Sequence, residues 1–103
     1  TSAGALEKIP VCRVNSLMKA VDELHLNGIK VFASEMTADK NIADANFTEP
    51  CAIVIGSEEK GVYPALMKIC DEKIKIPMKG DFESLNVSVA TGIILYEVMK
   101  QRM

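Results

Sequence analysis

The fold is decided by the stretch "CAIVIGSEEKGVYPALMKICDEKIKIP" (residues 51–77). It opens with a continuous apolar run that ends at Gly56, which is typical of a parallel strand buried on both of its faces. A helix with a proline near its start is predicted next, in "YPALMKICD". The stretch closes with "KIKIP", which predicts a second strand. A strand, a helix and a strand in this order favour a parallel sheet.

The same alternation extends through the 103 residues. The other predicted elements are a strand at 11–14, a helix from a cap at Asn15 or Ser16 to a stop at Asn27-Gly28, a strand at 29–33, a polar irregular stretch at 34–50 with one short helical turn near 42–45, and a last helix at 85–101. The sequence therefore predicts one α/β domain, spanning residues 1–103, with a mostly parallel sheet and helices on both of its faces.

Composition excludes several classes of protein. Twelve basic and 14 acidic residues give a formal charge of −2, so no broad basic surface for nucleic acid or membrane is indicated. Cys12, Cys51 and Cys70 form no CxxC pair and His25 is the single histidine, so neither a disulfide framework nor a metal site is predicted. No apolar run reaches the roughly 18 residues of a membrane span. A reducing, cytoplasmic setting is expected.

Ligands in such folds bind beyond the carboxyl ends of the strands, where three loops are expected. The loops begin at Ala33-Ser34, at "GSEEKGV" (56–62) and at "PMKGDFESLN" (77–86). Phosphate and dinucleotide fingerprints are absent, and Glu58 and Glu59 would repel a phosphate. "GSEEKG" on its own could be a simple turn, and Ser84 could serve only as the N-cap of the last helix.

The last helix combines a polar start with an apolar body. Asn86 in its first turn is expected to find hydrogen-bond partners, because an unpaired buried amide costs about 1–3 kcal/mol. A helix that is apolar almost all round is buried, either in its own core or against a partner subunit. For so short a chain, we expect a partner.

"AIVIGSEEKGV" (52–62) and "IPMKGDFESLNVSVATGI" (76–93) closely resemble motifs 2 and 3 of the SpoU branch of the SPOUT methyltransferases, which methylate ribose 2′-hydroxyls of RNA. The resemblance implies a deep trefoil knot at the C-terminal end of the sheet, S-adenosylmethionine as cofactor, rRNA or tRNA as substrate and a homodimer with the site at its interface. It also implies seven site residues. The cofactor contacts would be Gly56, Ile76, Met78 and Leu85, and the polar catalytic positions would be Glu58, Ser84 and Asn86.

Two departures from the family pattern affect what is expected of this chain. Glu59 stands where the family usually has glycine after the motif 2 glutamate. Motif 1, which carries the arginine regarded as catalytic, and the first strands of the domain have no counterpart here. We therefore expect the C-terminal portion of a methyltransferase domain, which alone binds cofactor weakly and methylates nothing. The alternative is a non-catalytic binding or dimerisation module.

Overall fold

A computed structural model of the chain describes residues 17–56, 62, 64–78 and 86–103. The elements in chain order are α1 (Leu17–Leu26), β1 (Lys30–Ser34), β2 (Lys40–Asn41), a 3₁₀ turn (Ile42–Asp44), β3 (Cys51–Val54), α2 (Pro64–Ile69), β4 (Glu72–Lys75) and α3 (Val87–Gln101). The strand predicted at 11–14 lies outside the described residues.

The four strands form one sheet in the order β2-β4-β1-β3. Every pairing in it is parallel. The predicted α/β fold with a parallel sheet is therefore confirmed. The trefoil knot stays a prediction, because the chain between Met78 and Asn86 lies outside the described residues.

Local sequence explains where the helices begin and end. Gly28 has φ of +72°, a left-handed conformation that glycine adopts without strain, and it stops α1 where the sequence predicts. The Asn27 side chain supports this end by donating to the Glu23 carbonyl at 2.8 Å. Pro64 is the first residue of α2, where its missing N–H has no helical partner to lose.

Each face of the sheet carries its own apolar core. On one face, Val31 and Ala33 of β1 pack with residues of α1 and α2, among them Val21 and Leu66. We call this side of the sheet the α1/α2 face. On the other face Phe32, Ile74, Ile94 and Val98 pack together with the 3₁₀ turn, forming the α3 face. Helices therefore cover both faces, as predicted, because alternate residues of a strand point to opposite sides.

Three details differ from the sequence predictions. The two-residue strand β2 lies in a stretch predicted to be irregular, because two residues carry no periodicity. Strand β3 is only half-buried beyond Cys51, since it pairs with β1 on one side and forms an edge of the sheet within the described residues. Helix α3 begins at Val87 rather than at residue 85.

The α-helices of the described residues are α1, α2 and α3, with 10, 6 and 15 residues. None of them is long and apolar enough to cross a membrane.

Candidate functional site

The three predicted loops begin on the same side of the sheet, where the strands end. The strands that lead into them are β1, which ends at Ser34, β3, which leads to Gly56, and β4, which leads to Ile76. Because these strands are parallel, their carboxyl ends point the same way. Strands β3 and β4 each pair with β1, so their ends are about 10 Å apart across the sheet. We call the place where these strands end the carboxyl edge.

The described site residues at the carboxyl edge give it an apolar lining. Ile76 follows β4 directly, is half-buried and packs against the core of the α3 face, as does Ile55 beside β3. Met78 is 38% exposed. Gly56 is half-buried at the end of β3 and presents only backbone. This edge therefore offers apolar side chains and backbone groups just beyond two strand ends.

Asn86 is the N-cap of α3. Its Oδ1 accepts a hydrogen bond from the Ser88 N–H at 2.8 Å, and its carbonyl accepts from the Ala90 N–H at 2.9 Å. Asn86 therefore has hydrogen-bond partners, as predicted, although its side chain is exposed rather than buried. Asparagine is among the best N-cap residues, and α3 starts at Val87, two residues later than predicted. Asn86 therefore takes the capping role considered for Ser84.

The other three predicted site residues are Glu58, Ser84 and Leu85. All three lie outside the described residues, so their roles as catalytic or cofactor-binding residues stay predictions.

Asn41 is a polar residue at this edge that sequence reasoning missed. It ends β2 and is the N-cap of the 3₁₀ turn, yet its side chain makes no capping hydrogen bond. Its Oδ1 is buried and has no hydrogen-bond partner within the described part of the chain. Leaving a buried acceptor unpaired costs about 1–3 kcal/mol, so a hydrogen bond from a donor that reached it would be favourable. The sequence provides little indication of Asn41, because this residue lies in the stretch predicted to be irregular.

Charged side chains lie near the amino ends of β1 and β4. Glu72 pairs with Lys30 and, at 2.8 Å, with Lys40 in a row across the sheet. Hydrogen bonds from Lys30 and then Lys40 hold the pKa of Glu72 below its usual value. Asp71 accepts from the Val31 N–H at 2.7 Å, and this bond is the main reason that its pKa is lowered. These groups stabilise the sheet.

Neither described thiol is activated as a nucleophile. Burial raises the pKa of Cys51 and of Cys70, which keeps both protonated at neutral pH. The described residues contain no group of three or more His, Cys, Asp or Glu side chains that could hold a metal.

The C-terminal end of α3 holds a second set of contacts that the sequence did not indicate. Gln101 and Arg102 donate hydrogen bonds to the backbone of residues 45–49, the segment that leads into β3. Polar residues at the end of an apolar helix are common, so no local signal distinguished these two.

Comparison with known proteins gives the family. The model of the SpoU rRNA Methylase family matches residues 1–96. The chain belongs to this family.

Relatives named as tRNA or rRNA methyltransferases match nearly the whole chain. It is 42% identical over 102 residues to an uncharacterized tRNA/rRNA methyltransferase of Mycobacterium leprae, covering 99% of this chain and 33% of the relative. It is 38% identical to the 23S rRNA (guanosine-2′-O-)-methyltransferase RlmB of Xanthomonas campestris, covering 100% of this chain and 41% of that protein. The chain thus spans between a third and a half of each relative.

A solved structure shows the same fold. The SpoU methyltransferase AviRb from Streptomyces viridochromogenes, in complex with the cofactor AdoMet, superposes with a TM-score of 0.81 at 33% identity. The match covers 96% of this chain and 41% of AviRb.

Proposed function

We propose that this chain forms the cofactor-binding part of an S-adenosylmethionine-dependent methyltransferase that modifies a ribose 2′-hydroxyl of rRNA or tRNA. The observation that carries the proposal is the carboxyl edge, where Gly56, Ile76 and Met78 follow the ends of β3 and β4 on a sheet of the SpoU family. The names of the relatives support RNA as the substrate class, and a cytoplasmic location belongs to the same proposal.

The residues of this edge fit the cofactor. Ile76 and the partly exposed Met78 offer apolar surface suited to a flat adenine, and the chain around Gly56 offers backbone hydrogen-bonding groups. Asn41 offers a buried acceptor without a partner in the described residues, and the cofactor carries amino groups that donate. Leu85, next to the N-cap of α3, would complete the apolar lining.

The cofactor would supply a methyl group on a positively charged sulfur. The residues of the chain would hold the two reactants in line, which is the main source of acceleration for such a displacement. Asn86, whose Oδ1 caps α3, would contact one of the two reactants through its amide N–H groups. Glu58 and Ser84 would orient the groups that remove the proton from the ribose hydroxyl.

A homodimer is part of the proposal, and the exposed side of α3 supports it. Ala90, Ile94 and Val98 face the sheet, while Val89, Tyr96 and Met99 are 50%, 69% and 50% exposed. These exposed apolar side chains recur at helical spacing on one helix. A continuous apolar stripe of this kind is typical of a surface that another chain covers.

The dimer is tested by sedimentation of the complete protein. Met99→Arg should raise the dimer dissociation constant, because it buries a charge in the interface. Leu26→Arg is the control, since Leu26 is an exposed apolar residue at the end of α1, on the face of the sheet opposite α3. Equal dissociation constants for the two variants would refute the proposed interface.

The activity is tested by incubating the complete protein with labelled S-adenosylmethionine and rRNA or tRNA. Nuclease digestion and mass spectrometry should then detect 2′-O-methylated nucleosides. Glu58→Gln should abolish their formation, while Glu59→Gln, the same change at the neighbouring residue, should not. A protein that dimerises but neither binds the cofactor nor methylates RNA would instead be a dimerisation module.

A further inference from the structure

Helix α3 is fastened at its C-terminal end by directional hydrogen bonds. The Gln101 side chain accepts from the Phe47 N–H through Oε1 at 2.8 Å and donates through Nε2 to the Ala45 carbonyl at 3.0 Å. Nε2 also donates to Glu97 Oε2 at 2.9 Å. The amide of Gln101 therefore pairs with the backbone as a neighbouring peptide group would.

Arg102 adds a second set of bonds to the same segment. Its Nε donates to the Phe47 carbonyl at 2.7 Å, and its Nη2 donates to the Glu49 carbonyl at 2.8 Å. Nη2 also lies 3.8 Å from the Sγ of Cys51, the first residue of β3. The planar guanidinium can satisfy these acceptors only in one orientation. We call the side chains of Gln101 and Arg102, with their partners in residues 45–51, the α3 clamp.

The remaining contacts of α3 with the sheet are of a different kind. Ile94 and Val98 pack into the apolar core, which holds the helix down but depends little on direction. Glu97 is a buried carboxylate, 8% exposed, and its hydrogen bond from Gln101 is the main cause of its lowered pKa. Within the described part of the chain, the clamp therefore supplies directional contacts that fix the position of α3 along its axis and its rotation.

The clamp and the candidate site lie at opposite ends of the same two elements. Residues 45–49 lead into the start of β3, and Gly56 lies two residues beyond its end. Arg102 follows the end of α3, and Asn86 directly precedes its start. A 15-residue helix is about 22 Å long and moves as a rigid unit. Fixing α3 to β3 at one end therefore fixes the relation of Asn86 to Gly56 at the other.

We infer that Gln101 and Arg102 are positioning residues for the cofactor site: by locking α3 to the segment before β3, they hold Asn86 in register with the carboxyl edge. This inference rests on the proposed function. Neither residue touches the cofactor or substrate. Their effect reaches the site through α3.

The test uses two variants of the complete protein. Arg102→Lys keeps the charge but loses the planar set of guanidinium donors, and Gln101→Glu cannot donate to the Ala45 carbonyl. Ile94→Val is the matched control, because it loosens the core under the same helix without touching the clamp. The dissociation constant for S-adenosylmethionine is measured by calorimetry well below the unfolding temperature. Exchange of the Ser88 and Ala90 amide hydrogens in the first turn of α3 is measured without cofactor.

Both clamp variants should raise the dissociation constant by about tenfold and speed exchange in the first turn by a similar factor. Ile94→Val should leave both quantities within about twofold, although it lowers stability. First-turn exchange unchanged in the clamp variants, or changed equally by Ile94→Val, overturns the inference whatever the affinity. If the unmodified protein binds no cofactor, the proposed function fails, and the exchange data still decide the positioning role.

Discussion

The two ends of α3 differ in how they are held. At the C-terminal end, Gln101 and Arg102 bind backbone groups of residues 45–49, beside the buried ring of Phe47. At the N-terminal end, Asn86 is exposed and caps its own helix. The contacts at the clamp end are closely spaced, directional hydrogen bonds. The described residues of the carboxyl edge include partly exposed apolar groups and a buried acceptor without a partner.

This difference indicates that stability and ligand binding depend on different ends of the same helix. Contacts that stabilise the fold are concentrated at the clamp end, and groups left available for a ligand lie at the carboxyl edge. Binding sites commonly retain unsatisfied or exposed groups that cost stability. Each prediction below compares the two ends or tests one of them.

The largest expected effect is the loss of stability when a side chain is truncated to alanine at the clamp end, compared with the same kind of truncation at the carboxyl edge. Phe47 is fully buried, and its ring packs edge-on against Phe32 with centroids 4.8 Å apart. Phe47→Ala should lower the free energy of unfolding by about 3–5 kcal/mol. Met78→Ala, at the partly exposed carboxyl edge, should cost under about 1 kcal/mol. Urea denaturation of both variants measures this, and similar losses would contradict the proposed division between the two ends.

The second prediction concerns the chemistry of Asn86. Asn86→Asp keeps the capping oxygen and favours the helix dipole, so the melting temperature should not fall. It removes the amide N–H donors, so the rate of RNA methylation should fall by about 100-fold.

The control for this prediction is Asn46→Asp. Asn46 is also exposed and accepts from the backbone N–H two residues on, that of Thr48, at 3.0 Å. The hydrogen bonds of the clamp go to Ala45, Phe47 and Glu49 rather than to Asn46, so its variant should keep the activity of the unmodified protein. Loss of activity in both variants, or in neither, would show that Asn86 has no special role.

The smallest expected effect is on the dependence of stability on pH. The pKa of Asp71 is lower in the folded chain than in the unfolded one, so its contribution is present above the unfolded value and is lost as pH falls through the folded pKa. Because the side chain is 37% exposed, this contribution is below about 1 kcal/mol.

Asp71→Asn should therefore lose less stability than the unmodified protein between about pH 6 and pH 3. Urea midpoints at the two pH values measure the difference. Asp39→Asn, an exposed aspartate, is the control. A steeper loss of stability in Asp71→Asn would contradict the role given to this carboxyl group.

The sequence predicted the parts of this structure that depend on local pattern. The apolar run after Pro50, the stop at Gly28 and Pro64 at a helix start each reflect a backbone preference that neighbouring residues express. The α/β fold followed from their alternation. The positions of Gly56, Ile76 and Met78 beyond strand ends followed from the same alternation together with the family resemblance.

The sequence did not predict features that depend on distant residues. The backbone partners of Gln101 lie more than 50 positions away along the chain, and nothing near Gln101 indicates them. The short strand β2 exists because β4 is beside it. Such contacts are set by tertiary packing, which overrides local preference.

The most direct test of the central claim is calorimetric titration of the complete protein with S-adenosylmethionine. The unmodified protein should show saturable binding, and Leu85→Arg should lose it because a charged side chain would fill the apolar lining. Leu26→Arg, the same change at an 87% exposed leucine on α1, should bind normally. Equal binding by all three folded proteins, or binding by none, would contradict a cofactor site at the carboxyl edge.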